Sequence, residues 1–138
     1  MKPDLERFVA RPLAGRALSS GANSTFVLEE NVDDGSDPGQ LIAPPHRHLR
    51  EDEAWYVLEG RLGFRLGEKE IEAGAGEAVL GPRGIPHTYW NTSSAPARYL
   101  LVTGPQTAAL LGALHDGTAR DRAAVEALFR SFDVELLA

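Results

Sequence analysis

From Leu41 to Thr103 the sequence is a succession of short β-like runs cut apart by Gly and Pro, and this punctuation constrains the fold more than any other feature. Ala54–Glu59 (AWYVLE) runs into Gly60. Arg61–Leu66 (RLGFRL) alternates, with Leu62, Phe64 and Leu66 on one face and Arg61, Gly63 and Arg65 on the other. GEKE at 67–70 is a hairpin-turn candidate, followed by Ile71, by AGAG at 73–76 and by Ala78–Leu80. His87–Trp90 and Arg98–Val102 (RYLLV) complete the series. Many short strands at close spacing, with turn residues between them, predict an antiparallel sandwich or barrel. Upstream, Ser24–Glu30 (STFVLEE) reads as a further strand, and Asn31–Gln40, rich in Asp, Gly and Pro, as a surface loop.

After Gly104 the pattern changes. Gln106–Leu114 is rich in Ala and Leu, and Val125, Leu128, Phe129 and Phe132 then fall at i, i+3, i+4 and i+7. That is the stripe of an amphipathic helix, supported by a Glu126–Arg130 pair at i, i+4. Thr118 and Asp121 have the spacing of a weak capping signal. The expected organisation is one domain: an N-terminal arm over 1–22, a β-barrel over 23–104 and a helical tail over 105–138. The fold class is all-β with a short C-terminal helical segment.

Composition narrows the function. The chain has no cysteine, so thiolate metal sites, disulfides and cysteine nucleophiles are excluded. A formal net charge of −6 argues against a nucleic-acid surface, which needs clustered positive charge. No apolar run approaches the ~18–20 residues of a membrane span, and the N-terminus carries no apolar signal segment. The expectation is a cytoplasmic protein with no nucleic-acid or membrane partner.

Three of the four histidines, His46, His48 and His87, lie in the β-rich region. His46 and His48 are two apart, so on a strand they share a face. Glu53 lies at an odd offset from His48 and would face away on one continuous strand; a bend or bulge in LRED at 49–52 brings it back. A closed barrel allows His87 to join them. Three neutral imidazoles and one carboxylate leave a divalent ion with a net charge near +1, and an octahedral metal keeps two open positions. A tetrahedral zinc would be filled by the four residues and be structural. Read residue by residue, HRHLREDE equally fits a solvated charged loop.

The complete spacing resembles the cupin superfamily. Its first motif is matched by His46, His48, Glu53 and Gly60 in PPHRHLREDEAWYVLEG, and its second by Gly76, Pro82, Gly84, His87 and Asn91 in GEAVLGPRGIPHTYWN. One departure is Gly39, which is separated from the first histidine by six residues rather than five. The motifs cover 39–91, and the β-rich flanks extend the likeness to roughly 24–104. The resemblance implies a jelly-roll β-barrel with a metal in its mouth, held by His46, His48, Glu53 and His87. The likeness to quercetinase-like and germin-like cupins implies a dioxygenase-like enzyme acting on a small organic substrate. It would use one divalent ion (Fe, Mn, Ni, Cu or Zn), with Glu53 as ligand and as proton acceptor.

The alternatives are a non-catalytic binding or sensing protein with a structural metal, and a metal-dependent isomerase or lyase. A sugar-phosphate isomerase needs cations for its phosphate, whereas Arg47, Arg50 and Arg83 sit on turns or on the wrong face. Trp55, Phe64 and Tyr89 are candidates for the pocket wall, with core packing as the competing role for each. His115 reads as a surface residue near a helix end. The arm and the outward apolar Tyr56 and Leu58 point to a homodimer.

Overall fold

The structure is a computed structural model that describes residues 4–117 and 121–137. A short 3-10 turn at Leu5–Phe8 precedes β1 (Ala17–Leu18), β2 (Val27–Asp33), β3 (Leu41–His48) and β4 (Glu53–Glu59). Then come β5 (Arg61–Leu66), β6 (Lys69–Gly74), β7 (Ala78–Gly81), β8 (His87–Asn91) and β9 (Ala97–Thr103). Helices α1 (Pro105–Asp116) and α2 (Arg122–Ser131) and a final strand β10 (Val134–Leu136) complete the chain. The strands form two antiparallel sheets of five, ordered β1-β2-β9-β4-β7 and β10-β3-β8-β5-β6. This is the jelly-roll arrangement, all-β apart from the C-terminal helices.

Period-two alternation makes the core. On β9 the residues alternate strictly between buried and half-buried, and on β4 Glu53, Trp55 and Val57 point inward while Tyr56 faces out. The inward residues of one sheet, Trp55, Val57, Tyr99 and Leu101, meet Leu62, Phe64, Ala73 and Tyr89 of the other. Trp55 and Phe64 meet edge to face with ring centroids 5.1 Å apart, and each such buried side chain stabilises the fold by roughly 1.5–3 kcal/mol. The β4–β5 reversal passes through Gly60 at φ +80°, where an added Cβ would meet the Pro96 carbonyl oxygen at 2.5 Å. Only glycine satisfies both demands.

The structure departs from the sequence expectations at three places. First, β2 runs to Asp33, so 31–33 belong to a strand and not to the surface loop. The reason is the long partner: Val27↔Thr103 through Asp33↔Ala97 pair in unbroken register, with the Arg98 guanidinium 3.0 Å from Glu30. Second, the segment 49–52 forms the expected bend, at Leu49 and Arg50, but not as a bulge within one strand. It carries the chain from one sheet to the other, so Glu53 faces the histidines from the opposite sheet and the parity problem does not arise. Third, the tail is not helical to its end, because β10 pairs with β3 (Val134↔His48, Leu136↔His46). Without it, β3 would leave a row of unpaired backbone groups along the histidine strand.

Helix α2 starts at Asp121, whose carboxylate accepts from the Ala124 amide at 2.8 Å; Thr118 lies outside the described residues. Its stripe of Val125, Leu128, Phe129 and Phe132 packs with Leu110 of α1 and Val134 of β10 into a second, smaller core. No helix among the described residues is long and apolar enough to cross a membrane.

Candidate metal centre

Two adjacent strands and a facing one bring the four side chains together. His46 and His48 stand on the inward face of β3, His87 pairs with His46 in register from β8, and Glu53 opens β4 in the other sheet. All four are buried, at 7 % or less exposure, and one ligand atom from each lies within 4.8 Å of the others. His46 Nε2 is 3.1 Å from His48 Nε2, and the Nε2 atoms of His48 and His87 are each 3.1 Å from Glu53 Oε2.

Partner chemistry assigns the ring protons. His46 Nδ1 lies 2.6 Å from the Pro44 carbonyl and His87 Nδ1 lies 3.2 Å from the Ile85 carbonyl; a carbonyl only accepts, so both nitrogens donate. His48 Nδ1 faces the Thr107 hydroxyl at 3.2 Å, and that hydroxyl itself donates to Glu51 at 2.8 Å. With each Nδ1 proton directed outward, the Nε2 lone pairs converge on one another and on a carboxylate. Such a cluster is repulsive unless a positive charge lies within it. A proton can serve one imidazole at a time, whereas a divalent cation serves all four donors at once. The donor set therefore fits a metal.

In the metal-free protein, burial pushes the Glu53 carboxyl upward, but His48 and His87, which in their charged forms donate to it through Nε2, outweigh burial and hold the pKa at about 2. Burial, reinforced by the neighbouring His87 charge, lowers His46 to about 4.

A cavity of about 110 Å³ adjoins the cluster. Its barrel side is formed by Ile42, Ala43, Pro44, Tyr89 and Leu101, and its roof by Leu110, Leu111 and Leu114 of α1 and Phe129 of α2. The ring of Phe129 stands 6.3 Å from that of His46, nearly perpendicular to it. Of the pocket candidates, Tyr89 lines this cavity, its hydroxyl paired with that of Tyr99 at 2.9 Å. Burial raises the Tyr89 phenol well above its ordinary range, so it stays protonated.

Trp55 and Phe64 lie one layer deeper in the barrel. Trp55 abuts the His87 ring at 5.5 Å, and neither residue is part of the cavity wall. Arg47 points away from the histidines and pairs with Glu135 across β3 and β10, and His115 is exposed in the last turn of α1. Sequence reasoning missed Glu51, Thr107 and the roof. The helical periodicity of Phe129 was visible, but nothing in it says which cavity the helix covers.

The chain matches known proteins over the same region. The profile of the cupin domain matches residues 36–103. Germin-like protein subfamily T member 2 of Arabidopsis thaliana is 34% identical over 85 residues, covering 58% of this chain and 37% of that protein. This chain thus spans well under half the length of that relative. A solved protein of Thermus thermophilus shares 31% sequence identity at a TM-score of 0.53, covering 75% of this chain and 96% of the other. A Silicibacter pomeroyi protein described as a sugar phosphate isomerase from a cupin superfamily shares 27% identity at a TM-score of 0.53, over 64% of this chain and 57% of that one. The matched span, the pair of five-stranded sheets and the inward His-His-Glu-His cluster coincide, and the chain belongs to the cupin family.

Proposed function

We propose that this chain is a mononuclear metal-dependent enzyme of the oxygenase type, acting on a small, largely apolar substrate that carries its own oxygen ligands. The observation that carries this reading is the outward commitment of all three Nδ1 protons, which leaves His46, His48 and His87 as Nε2 donors beside the Glu53 carboxylate. A divalent ion held by these four would supply Lewis acidity and, if redox-active, one-electron chemistry, with two octahedral positions left for exchangeable ligands. Glu53 is the only carboxylate lining the cavity among the described residues, which makes it the proton acceptor for an incoming substrate hydroxyl or enol. The apolar roof excludes water from that transfer. Tyr89, tied to Tyr99 and held neutral, serves as a fixed phenol and not as a base.

Size and charge narrow the substrate. The cavity of about 110 Å³ is smaller than the roughly 150 Å³ of a dry cavity that admits benzene. By that measure only dicarbonyls and hydroxyketones smaller than benzene fit this conformation, whereas larger diketones and flavonols require the roof to move. A phosphorylated sugar would need a cation at its phosphate, and no Lys or Arg lines this cavity among the described residues.

The test is metal analysis of the purified protein followed by oxygen-uptake assays on short diketones, hydroxyketones, catechols and flavonols. We expect bound Fe, Mn, Ni or Cu, uptake with the smallest chelating compounds, and loss of metal loading in His48→Ala. Stoichiometric zinc alone with no uptake across the panel would overturn the proposal in favour of a binding protein with a structural metal.

A further inference from the structure

Helix α1 has no cap of its own. Gly104 precedes it and offers no side chain to the first free amides, which a Ser or Asp at that position would ordinarily satisfy. Glu51, from the segment that joins the two sheets, does this instead. Its Oε2 accepts from the Gln106 amide at 3.0 Å, and its Oε1 accepts from the Thr107 amide at 2.7 Å and from the Thr107 hydroxyl at 2.8 Å. Gly104 leaves room for this: a Cβ there would lie 2.2 Å from the Glu51 carboxyl carbon.

The consequence reaches the metal centre. A hydroxyl has one proton, and Glu51 receives it, so what Thr107 presents to His48 Nδ1 at 3.2 Å is a lone pair. His48 must then carry its proton on Nδ1 and its lone pair on Nε2. His46 and His87 obtain the same tautomer from main-chain carbonyls two residues back. His48 alone depends on a group outside the barrel. If that group were lost, the ring proton would sit more favourably on Nε2, where Glu53 accepts at 3.1 Å, and the nitrogen a metal needs would be blocked.

We propose that Glu51 and Thr107 are positioning residues that hold His48 in its metal-ready tautomer, so that the seating of α1 on the barrel sets the affinity of the site. The link to metal affinity rests on the metal-centre reading above; the tautomer itself does not.

The test has two arms. In metal-free protein at pH 8, long-range ¹⁵N–¹H correlation of the histidine rings reads the tautomer directly. We expect the Nδ1–H form at His48 in the wild type, a shift toward Nε2–H in Thr107→Val, and restoration in Thr107→Ser. In the second arm, competition with a chromophoric chelator for Co²⁺ or Zn²⁺ should show roughly 10–100-fold weaker binding in Thr107→Val and Glu51→Gln, the range for lost outer-shell partners. Thr107→Ser should bind within a few-fold of wild type. A role in helix capping alone would lower the melting temperature without moving either readout, and a wild-type tautomer and affinity in Thr107→Val would overturn the proposal. A wild type that binds no metal would overturn the metal reading, while the ring tautomer still decides this one.

Discussion

His46 and Glu53 are both held in their deprotonated forms, for different reasons, and the pH response of the metal-free protein follows. Burial is the larger cause at His46, taking its pKa from 6.5 to about 4. The unfolded chain therefore binds a proton that the folded chain refuses, and stability present above pH 6.5 is lost as the pH falls toward 4. The loss is on the order of 3 kcal/mol for that 6.5-to-4 shift. Glu53, depressed from 4.5 to about 2, continues the loss in the same direction below pH 4.5. Thermal melts of chelator-treated protein should fall steadily from pH 7 to pH 4, and added metal should raise the melting temperature most near neutrality, where protons compete least. A flat profile between pH 7 and 5 contradicts the burial of a neutral His46. Of the four ligand candidates, only the His46–His48 pair is a local strand pattern; Glu53 and His87 were legible because the complete spacing resembles the two cupin motifs. Thr107 was not, since its role depends on a contact between residues 51 and 107 that exists only once α1 has docked.

At the scale of elements, turns and strand pairings carry different risks. Gly60 and Gly76 both adopt positive φ, at +80° and +86°, yet a Cβ at Gly60 meets the backbone of Pro96 and Ala97 while one at Gly76 meets nothing within 4 Å. Gly76→Ala should therefore cost only the left-handed strain, about 1–2 kcal/mol. Gly60→Ala should cost at least twice as much, because the β4–β5 turn must also open. Urea midpoints at unchanged slope would measure both, and equal losses would refute the clash. Short alternating runs such as RLGFRL were readable because the side-chain period of a strand is local. The crossing of 49–52 between sheets and the addition of β10 to β3 were not, since each depends on a partner far along the chain. Parity placed Trp55 and Phe64 inward but could not say how deep along the barrel axis they sit.

For the whole molecule, the barrel supplies the donors and the C-terminal helices supply the roof. Phe129 is buried at 3% exposure and belongs both to the second core and to the cavity wall. Phe129→Ala should destabilise the protein by about 3–5 kcal/mol, as large-to-small core changes do. It should also enlarge the cavity enough for single-ring compounds. Catechol binding, measured by spectral titration of the Co²⁺-loaded protein, should appear or tighten in this variant while short diketones lose affinity. No change in the size preference would mean that the roof does not limit access.

The pairing of β10 with β3 also orders events during synthesis. Strand β3 carries two of the four donors and is made early, whereas the strand that completes its edge emerges after both helices. On the ribosome, the histidine strand must wait with one edge open while the intervening chain is translated, and that loop closes only when residues 134–136 arrive. Through that interval the exposed edge can pair with another chain, so aggregation competes with the arrival of β10.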